Sequence, residues 1–255
     1  MELSYAFQTD TGQIRSHNED NGGIFTNETG ILAVVADGMG GHLAGDVASL
    51  MTKDFFDEAW SKNPTLASAK EAEKWLNEQV QVVNGQLYKH AESNSECHGM
   101  GTTLVLAICT KEYITIGHIG DSRIYLKNDF GFLAKTSDHS LVQELVKSGQ
   151  ITVEEAENHP RRNVVLRALG TEREILPDVQ TFFVEGNELV LLCSDGLSDK
   201  VGLSDFEQVI KAEGTLEEKA NALVNLANER GGEDNITVAL VKYPAYHEQE
   251  SEMEQ

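Results

Sequence analysis

The chain has 255 residues, 40% hydrophobic and 24% charged, which suits one large globular domain or two small ones. Its formal net charge of −22 argues against binding a nucleic-acid backbone or an anionic membrane, because both need clustered lysine and arginine. The same charge suits a protein that gathers divalent cations, although most of the acidic side chains must simply be solvated surface. Met1 to Asp10 lacks a basic start and an apolar core, so no signal peptide is expected, and no apolar run approaches the length of a membrane span. Cys97, Cys109 and Cys193 show no Cys-x-x-Cys spacing, and the last two sit inside apolar runs as packing residues. The expectation is a reduced, cytoplasmic protein.

In chain order, Leu3 to Gln8 alternates as a strand does, and Thr9-Asp10-Thr11-Gly12 is a turn. Arg15-Ser16-His17-Asn18-Glu19-Asp20 sets one guanidinium beside groups able to face a metal, although a plain charged loop also accounts for it. A strand is expected from Gly22 to Thr26. Ile31 to Ala36 is apolar, β-branched and non-alternating, and reads as a strand buried on both faces. It runs out onto Asp37 and a glycine-rich turn, Gly38-Met39-Gly40-Gly41-His42. Leu43 to Trp60 has helical spacing, with Ala44, Gly45 and Ala48 permitting close packing. Ala67 to Ala91 reads as one or two further helices with Trp75, Leu76, Val80, Val83 and Leu87 on one face. Gly99-Met100-Gly101-Thr102-Thr103 is not a phosphate loop: it lacks a Gly-Lys-Ser/Thr ending and leads into a strand, Leu104 to Cys109, rather than a helix. Tyr113 to His118 and Ser122 to Lys127 are strands joined by Ile119-Gly120-Asp121. His118 is expected in the core or behind a metal ligand, not as a ligand itself.

Ser137 to Gly170 breaks the β pattern. Leu141, Leu145 and Val146 mark a helix ending at Gly149, and Thr152-Val153-Glu154-Glu155 offers a capping box for a second. His159-Pro160-Arg161-Arg162 is the most positive short run. This helical insertion, at about 137–170, is a candidate lid, and a purely structural insertion stays open beside it. Val179 to Val184 and Glu188 to Ser194 are expected to form a hairpin across Glu185-Gly186-Asn187. Leu203 to Ala212 and Leu216 to Arg230 are helices, and Ile236 to Lys242 is the last strand. One domain is expected over 1–244, followed by an acidic, disordered tail at 245–255.

A carboxylate stands at the end or start of several of these strands: Asp37 and Asp195 follow apolar runs, Asp234 opens the last one, and Asp121 sits in a strand turn. In antiparallel sheets the end of one strand lies beside the start of its neighbour, so these groups can converge on one edge. A single Asp-Gly is weak evidence, being a common turn. The ordered series is not weak. It runs through Arg15-x-x-Asn18-Glu19-Asp20, Asp37-Gly38-Met39-Gly40-Gly41-His42, Gly99-Met100-Gly101-Thr102-Thr103 and Gly120-Asp121-Ser122-Arg123. Asp138-His139-Ser140, His159-Pro160, Ser194-Asp195-Gly196 and Asp234-Asn235 continue it. From about Leu3 to Val241 the chain resembles the metal-dependent protein Ser/Thr phosphatases of the 2C type, in their compact bacterial branch.

That resemblance implies an α+β fold, a four-layer αββα sandwich of two antiparallel sheets flanked by helices, with a two-metal site at one edge. It implies that Asp37 bridges the metals, that the Gly38 carbonyl serves the first, and that Asp195 and Asp234 serve the second. Glu19 and Asp20 would hold the second metal or its waters, Arg15 the phosphate, and Asp121 a weaker third metal. Oxygen ligands of this kind suit Mn²⁺ or Mg²⁺, not structural zinc. The implied reaction is hydrolysis of phosphoserine or phosphothreonine in proteins by a metal-bridging water or hydroxide, with no phosphoenzyme on Cys193 or Ser194. Many eukaryotic members place a proton-donating histidine where this chain has Met39; His42 or a metal-bound water is left for that role. The implied partners are phosphoproteins, including a cognate Ser/Thr kinase, met by a monomer without nucleic-acid binding or membrane insertion.

Overall fold

The computed structural model describes residues 3–40 and 44–245. His42, the expected helix start at Leu43 and the tail from residue 246 onward lie outside them. The elements in order are β1 (Ser4–Asp10), β2 (Asp20–Thr26), β3 (Ile31–Met39), α1 (Ala44–Ser61), α2 (Ala69–Ser93), β4 (Gly101–Thr102), β5 (Leu104–Cys109) and β6 (Tyr113–Ile119). They continue with β7 (Arg123–Asn128), β8 (Gly131–Ala134), α3 (Leu141–Lys147), α4 (Val153–Glu157), β9 (Asp178–Phe183) and β10 (Leu189–Cys193). The last are α5 (Asp195–Ser198), α6 (Leu203–Lys211), α7 (Leu216–Glu229) and β11 (Ile236–Lys242).

The non-alternating strands have a simple cause: both of their faces are covered. On β3, Ile31, Ala33 and Val35 point into the layer between two sheets, where they meet Val105 and Ala107 of β5, Val190 and Leu192 of β10, and Ala239 and Val241 of β11. The intervening Leu32 and Val34 point the other way, onto Ala48, Phe56 and Trp60 of α1 and Leu76, Val80 and Val83 of α2. The outer face of the second sheet is closed in the same manner, Leu191 and Leu240 packing against Phe206 of α6 and Leu223 and Val224 of α7. Each large side chain among them, such as Ile31, Leu32 or Phe56, stabilises the fold by about 1.5–3 kcal/mol when withdrawn from water, before chain entropy is counted. One sheet has the order β1-β11-β10-β7-β8 and the other β2-β3-β5-β6-β9, with β4 on the end of β3; every pairing is antiparallel. This is the expected α+β sandwich of helix, sheet, sheet and helix layers.

One local expectation changes. The stretch from β9 to β10 is not a hairpin, since β9 pairs with β6 in one sheet and β10 with β7 and β11 in the other. Glu188 turns the corner between them, its carboxylate accepting from the N–H groups of Glu185 (2.7 Å) and Gly186 (2.9 Å). The chain from β6 to β7 likewise passes from one sheet to the other at Gly120-Asp121. The short strands β4 and β8, and the single turn of helix that Asp195 opens, were not expected from the pattern.

Candidate metal and phosphate site

Asp37 reaches the edge of the sandwich on β3. Because β2 runs antiparallel to β3, its first residue, Asp20, is the direct cross-strand partner of Asp37. The Asp37 backbone is gripped from the other side. Its carbonyl accepts from Thr103 N–H (2.9 Å) and Thr102 Oγ1 (2.9 Å), and its N–H donates to Thr103 Oγ1 (3.0 Å). Gly38 donates its N–H to the Glu19 carbonyl (3.1 Å), and a Cβ here would lie 2.1 Å from the Gly45 carbonyl oxygen. Only glycine lets α1 approach the strand end so closely.

The other sheet supplies the second half. Ser194, just past β10, accepts from Thr237 N–H (3.0 Å) and donates its hydroxyl to Asp20 Oδ2 (2.7 Å), so it joins the two sheets at this edge. Asp195 follows as the first residue of α5. Asn235, before β11, clamps the incoming loop: its amide donates to the carbonyls of Thr11 (2.9 Å) and His17 (3.0 Å), and its oxygen accepts from Glu19 N–H (2.8 Å). Asp234 beside it accepts from Arg15 Nη2 at 2.8 Å through one oxygen and from Asn235 N–H at 2.8 Å through the other. The Arg15 guanidinium is thus at the mouth of the site and exposed to solvent.

Four of the expected carboxylates perturb Asp37 electrostatically: Asp20, Asp195, Asp121 and Asp234. Asp20 and Asp121 are only 4% and 8% exposed. Asp37 and Asp195 are partly open to solvent as residues. Burial first, then the neighbouring carboxylates, pushes both well above the ordinary carboxylate range. Burial likewise raises Asp20 to about 6, against the hydrogen bonds of Ser194 and Thr237, and Asp121 to about 6, with Asp138 adding to the rise. One oxygen each of Asp20 and Asp195 is shut off from solvent without a hydrogen-bond partner. Packed carboxylates with orphaned oxygens are poorly served by protein alone and well served by a hard divalent cation, so the donor set fits Mn²⁺ or Mg²⁺.

Glu19 is the expected residue that stands apart. Its carboxylate accepts from His17 Nε2 (3.1 Å), while its carbonyl accepts from Gly38 N–H (3.1 Å) and Ser49 Oγ (2.6 Å). Met39 ends β3 and carries no titratable group. Cys193 is wholly buried, and burial pushes its thiol up to about 12, far from a reactive thiolate. Ser194 Oγ is already committed to Thr237 and Asp20.

Beside the carboxylates lies a cavity of about 550 Å³, floored by Asp121, Asp195 and Asp199 and walled by Val142 and Val146 of α3 with Ala156 of α4. Asp199 among its residues escaped the sequence reading, while Arg123 and Asp138 stood in quoted motifs without a role of their own. Arg123 and Asp138 form a two-pronged ion pair (2.9 and 2.7 Å), and Asp199 ends the helical turn begun by Asp195. The i, i+4 spacing of Asp195 and Asp199 was the available signal for the last. On the far side of the Asp121 turn, His118, His139 and Asp178 form a second cluster, with burial lowering both histidines, His118 to about 4.

Residues 12–236 match the protein phosphatase 2C family. A serine/threonine phosphatase, stp, of Listeria welshimeri is 48% identical over 239 residues, covering 92% of this chain and 94% of its own. Among solved structures, the serine/threonine phosphatase Stp1 of Staphylococcus aureus superposes with a TM-score of 0.89 at 40% identity, covering 96% of both chains. The catalytic domain of the serine/threonine protein phosphatase PstP, in complex with two manganese ions, gives 0.83 at 33% identity, covering 95% of this chain and 98% of that one. The chain belongs to the protein phosphatase 2C family, in its compact bacterial branch, and is a protein serine/threonine phosphatase.

Proposed function

We propose that the enzyme hydrolyses phosphoserine and phosphothreonine in proteins with two divalent cations held at the sandwich edge. Asp37 with the Gly38 carbonyl, and Asp195, Asp234 and Asp20, would hold these two cations, and Glu19 would hold their waters. Asp121 would hold a weaker third. The observation that carries this reading is the crowding of Asp37 by Asp20, Asp195, Asp121 and Asp234, together with the orphaned oxygens of Asp20 and Asp195. When bound, the cations supply charge neutralisation and bring the pKa of a coordinated water toward neutrality.

The remaining roles belong to the chain. Arg15 leaves or shares Asp234 to orient the phosphate, its always-charged planar fork offsetting an otherwise repulsive acidic field. Ser194 fixes which oxygen of Asp20 faces the cations, because the other is tied to its hydroxyl. The acidic-floored cavity takes the polypeptide flanking the phosphate, and the 137–170 segment over it acts as a flap on a single phosphatase domain spanning 1–244. Neither Cys193 nor Ser194 attacks phosphorus. Met39 has no proton to give the departing oxygen, so that role would fall to a water acidified by a bound cation. The enzyme acts as a monomer in the cytoplasm, opposing a bacterial Ser/Thr protein kinase; family resemblance supports that role, and the free thiols of Cys97, Cys109 and Cys193 support the compartment. No helix among the described residues is long and apolar enough to cross a membrane. Phosphate release from a phosphothreonine peptide, measured with Mn²⁺ and with chelator, is the test: turnover only with the metal is expected, and turnover indifferent to it overturns the reading.

A further inference from the structure

The cluster behind Asp121 has the separations of a metal site, since one ligand atom from each of His118, His139 and Asp178 lies within 4.8 Å of the others. Its hydrogen bonds say otherwise. His139 Nδ1 accepts from Gly120 N–H (3.1 Å), which in a neutral ring leaves the proton on Nε2, 3.2 Å from Asp178 Oδ2. That nitrogen has no lone pair to give a metal. The position between the acid and the ring is taken by Arg167, whose Nη1 donates to Asp178 Oδ1 (3.0 Å) and lies 2.9 Å from His139 Nε2, a contact between two donors in this tautomer and not a hydrogen bond. A cation is therefore already in place, and it is a guanidinium.

What the histidines hold instead is a peptide. The Gly120 carbonyl accepts from His139 N–H (2.8 Å) and from His118 Nε2 (2.8 Å), while Gly120 N–H goes to His139 Nδ1. Both polar groups of Gly120 are thus fixed, and its carbonyl belongs to the peptide bond that leads into Asp121. Gly120 has φ +104°, and a Cβ there would lie 2.7 Å from Thr103, the residue that grips the Asp37 backbone. Thr103 Oγ1 is also 2.7 Å from Ser122 Oγ. The turn carrying Asp121 is tied to Asp37 in front and to His139 behind. His139 is in addition the root of the 137–170 segment, its carbonyl accepting from Leu166 N–H (2.7 Å).

We propose that His139 is a positioning residue for the enzyme's cation chemistry: through Nδ1 and its own N–H it fixes the Gly120 peptide and so aims the Asp121 carboxylate, joining the flap root to the cation edge. The proposal rests on the reading of Asp121 as a cation ligand given above.

The ring can be divided by substitution. Asparagine at 139 places an acceptor where Nδ1 was and loses Asp178; glutamine places its polar end where Nε2 was and loses Gly120. The measurements are the Mn²⁺ concentration for half-maximal turnover of a phosphothreonine peptide, and amide hydrogen exchange over residues 119–122 in the metal-free protein. Thermal unfolding confirms that each variant is folded. His139→Gln is expected to raise the Mn²⁺ requirement about 10–100-fold, as loss of a group supporting a ligand does, and to speed exchange in the turn, with the phosphopeptide KM unchanged at saturating Mn²⁺. His139→Asn is expected to stay close to the parent in both measurements. Asn and Gln variants equally impaired overturn the proposal, because the ring would then act through Asp178 or bulk alone. Asp121→Ala separates the two readings. If it raises the Mn²⁺ requirement while His139→Gln does not, the positioning role alone falls; if it leaves the requirement at the parent value, the Asp121 reading falls and takes the proposal with it.

Discussion

The sandwich edge and the 137–170 segment face each other across one cavity, yet they are held by different means. At the edge, Asp37 and Asp20 are anchored by strands whose interior residues are buried on both faces, and by Thr102, Thr103 and Ser194. Across from them, α3 and α4 have no buried side chain at all. That segment is attached at its ends: through the Arg123–Asp138 pair and His139 on one side, and through the Thr102–Leu169 and Ser140–Val165 bridges near the other. A chemical centre that must place several carboxylates within ångströms needs the first kind of support. A surface that must accept different phosphoproteins can use the second, because elements with little buried apolar area open at low cost.

The sharpest way to break this contrast is at Asp37. Asp37→Ala should abolish phosphopeptide hydrolysis while circular dichroism and thermal unfolding show an intact fold, since β3 is held by its apolar neighbours and not by the carboxylate. A folded Asp37→Ala protein with near-parental turnover would remove Asp37 from the centre. A smaller loss is expected for Arg15→Ala. Removing a charge-assisted contact to phosphate should cost about 1.5–3 kcal/mol, roughly 10–150-fold in kcat/KM, with Mn²⁺ binding by calorimetry kept. If Mn²⁺ binding disappears as well, the Arg15–Asp234 pair builds the site and does not serve the substrate.

Metal removal should be felt in stability as well as in turnover. Asp20 and Asp121 are raised to about 6 from an ordinary 3.8. Between those values the folded, metal-free chain holds protons that the unfolded chain has released, so its stability falls as pH rises through the window and returns on acidification. With chelator present, the thermal midpoint should be higher at pH 5 than at pH 7, and Mn²⁺ should raise the pH 7 value most. Asp20→Asn keeps an acceptor for Ser194 and should flatten the metal-free slope. An unchanged slope would place the proton uptake elsewhere.

The run Ile31–Ala36 ending in Asp37 was legible in the sequence because burial on both faces leaves a non-alternating apolar signature, and the layered class followed from several such runs. The path from β9 to β10 was not legible. Glu185-Gly186-Asn187 has the chemistry of a hairpin turn, and Asn187 adopts φ +66° as such a turn would allow, yet the chain uses it to cross between sheets. Turn chemistry reports local backbone shape and not which sheet receives the next strand. At the site, acids at strand ends could be read singly, but Asp199 and the Arg123–Asp138 pair depend on how α5, β7 and the 137–170 segment meet. His118 was placed correctly in the core or behind a ligand, but the part of His139 was hidden, because what matters is the Gly120 peptide between them.

The smallest effect tests the contrast with one motif placed in both settings. Thr152 caps α4, its Oγ1 accepting from Glu155 N–H (3.2 Å) while Glu155 accepts from Thr152 N–H (2.8 Å). Thr215 makes the same box on α7, accepting from Glu218 N–H (3.2 Å), with Glu218 accepting from Thr215 N–H (2.8 Å). The caps match in geometry; the helices behind them do not. α7 buries Ala220, Leu223, Val224 and Ala227 against the sheet, so its unfolding is coupled to that of the whole sandwich. α4 buries nothing, so it can fray while the sandwich stays folded. Thr215→Ala should therefore lower global stability by about 1 kcal/mol, the usual cost of a lost N-cap, seen as a lower denaturant midpoint at unchanged slope. Thr152→Ala should leave the global midpoint in place and instead speed amide exchange over residues 153–157, because the lost cap is charged to a local opening. Equal shifts of the denaturant midpoint in both variants would mean that α4 unfolds together with the sandwich, and the low-cost opening assigned to the 137–170 segment would be wrong.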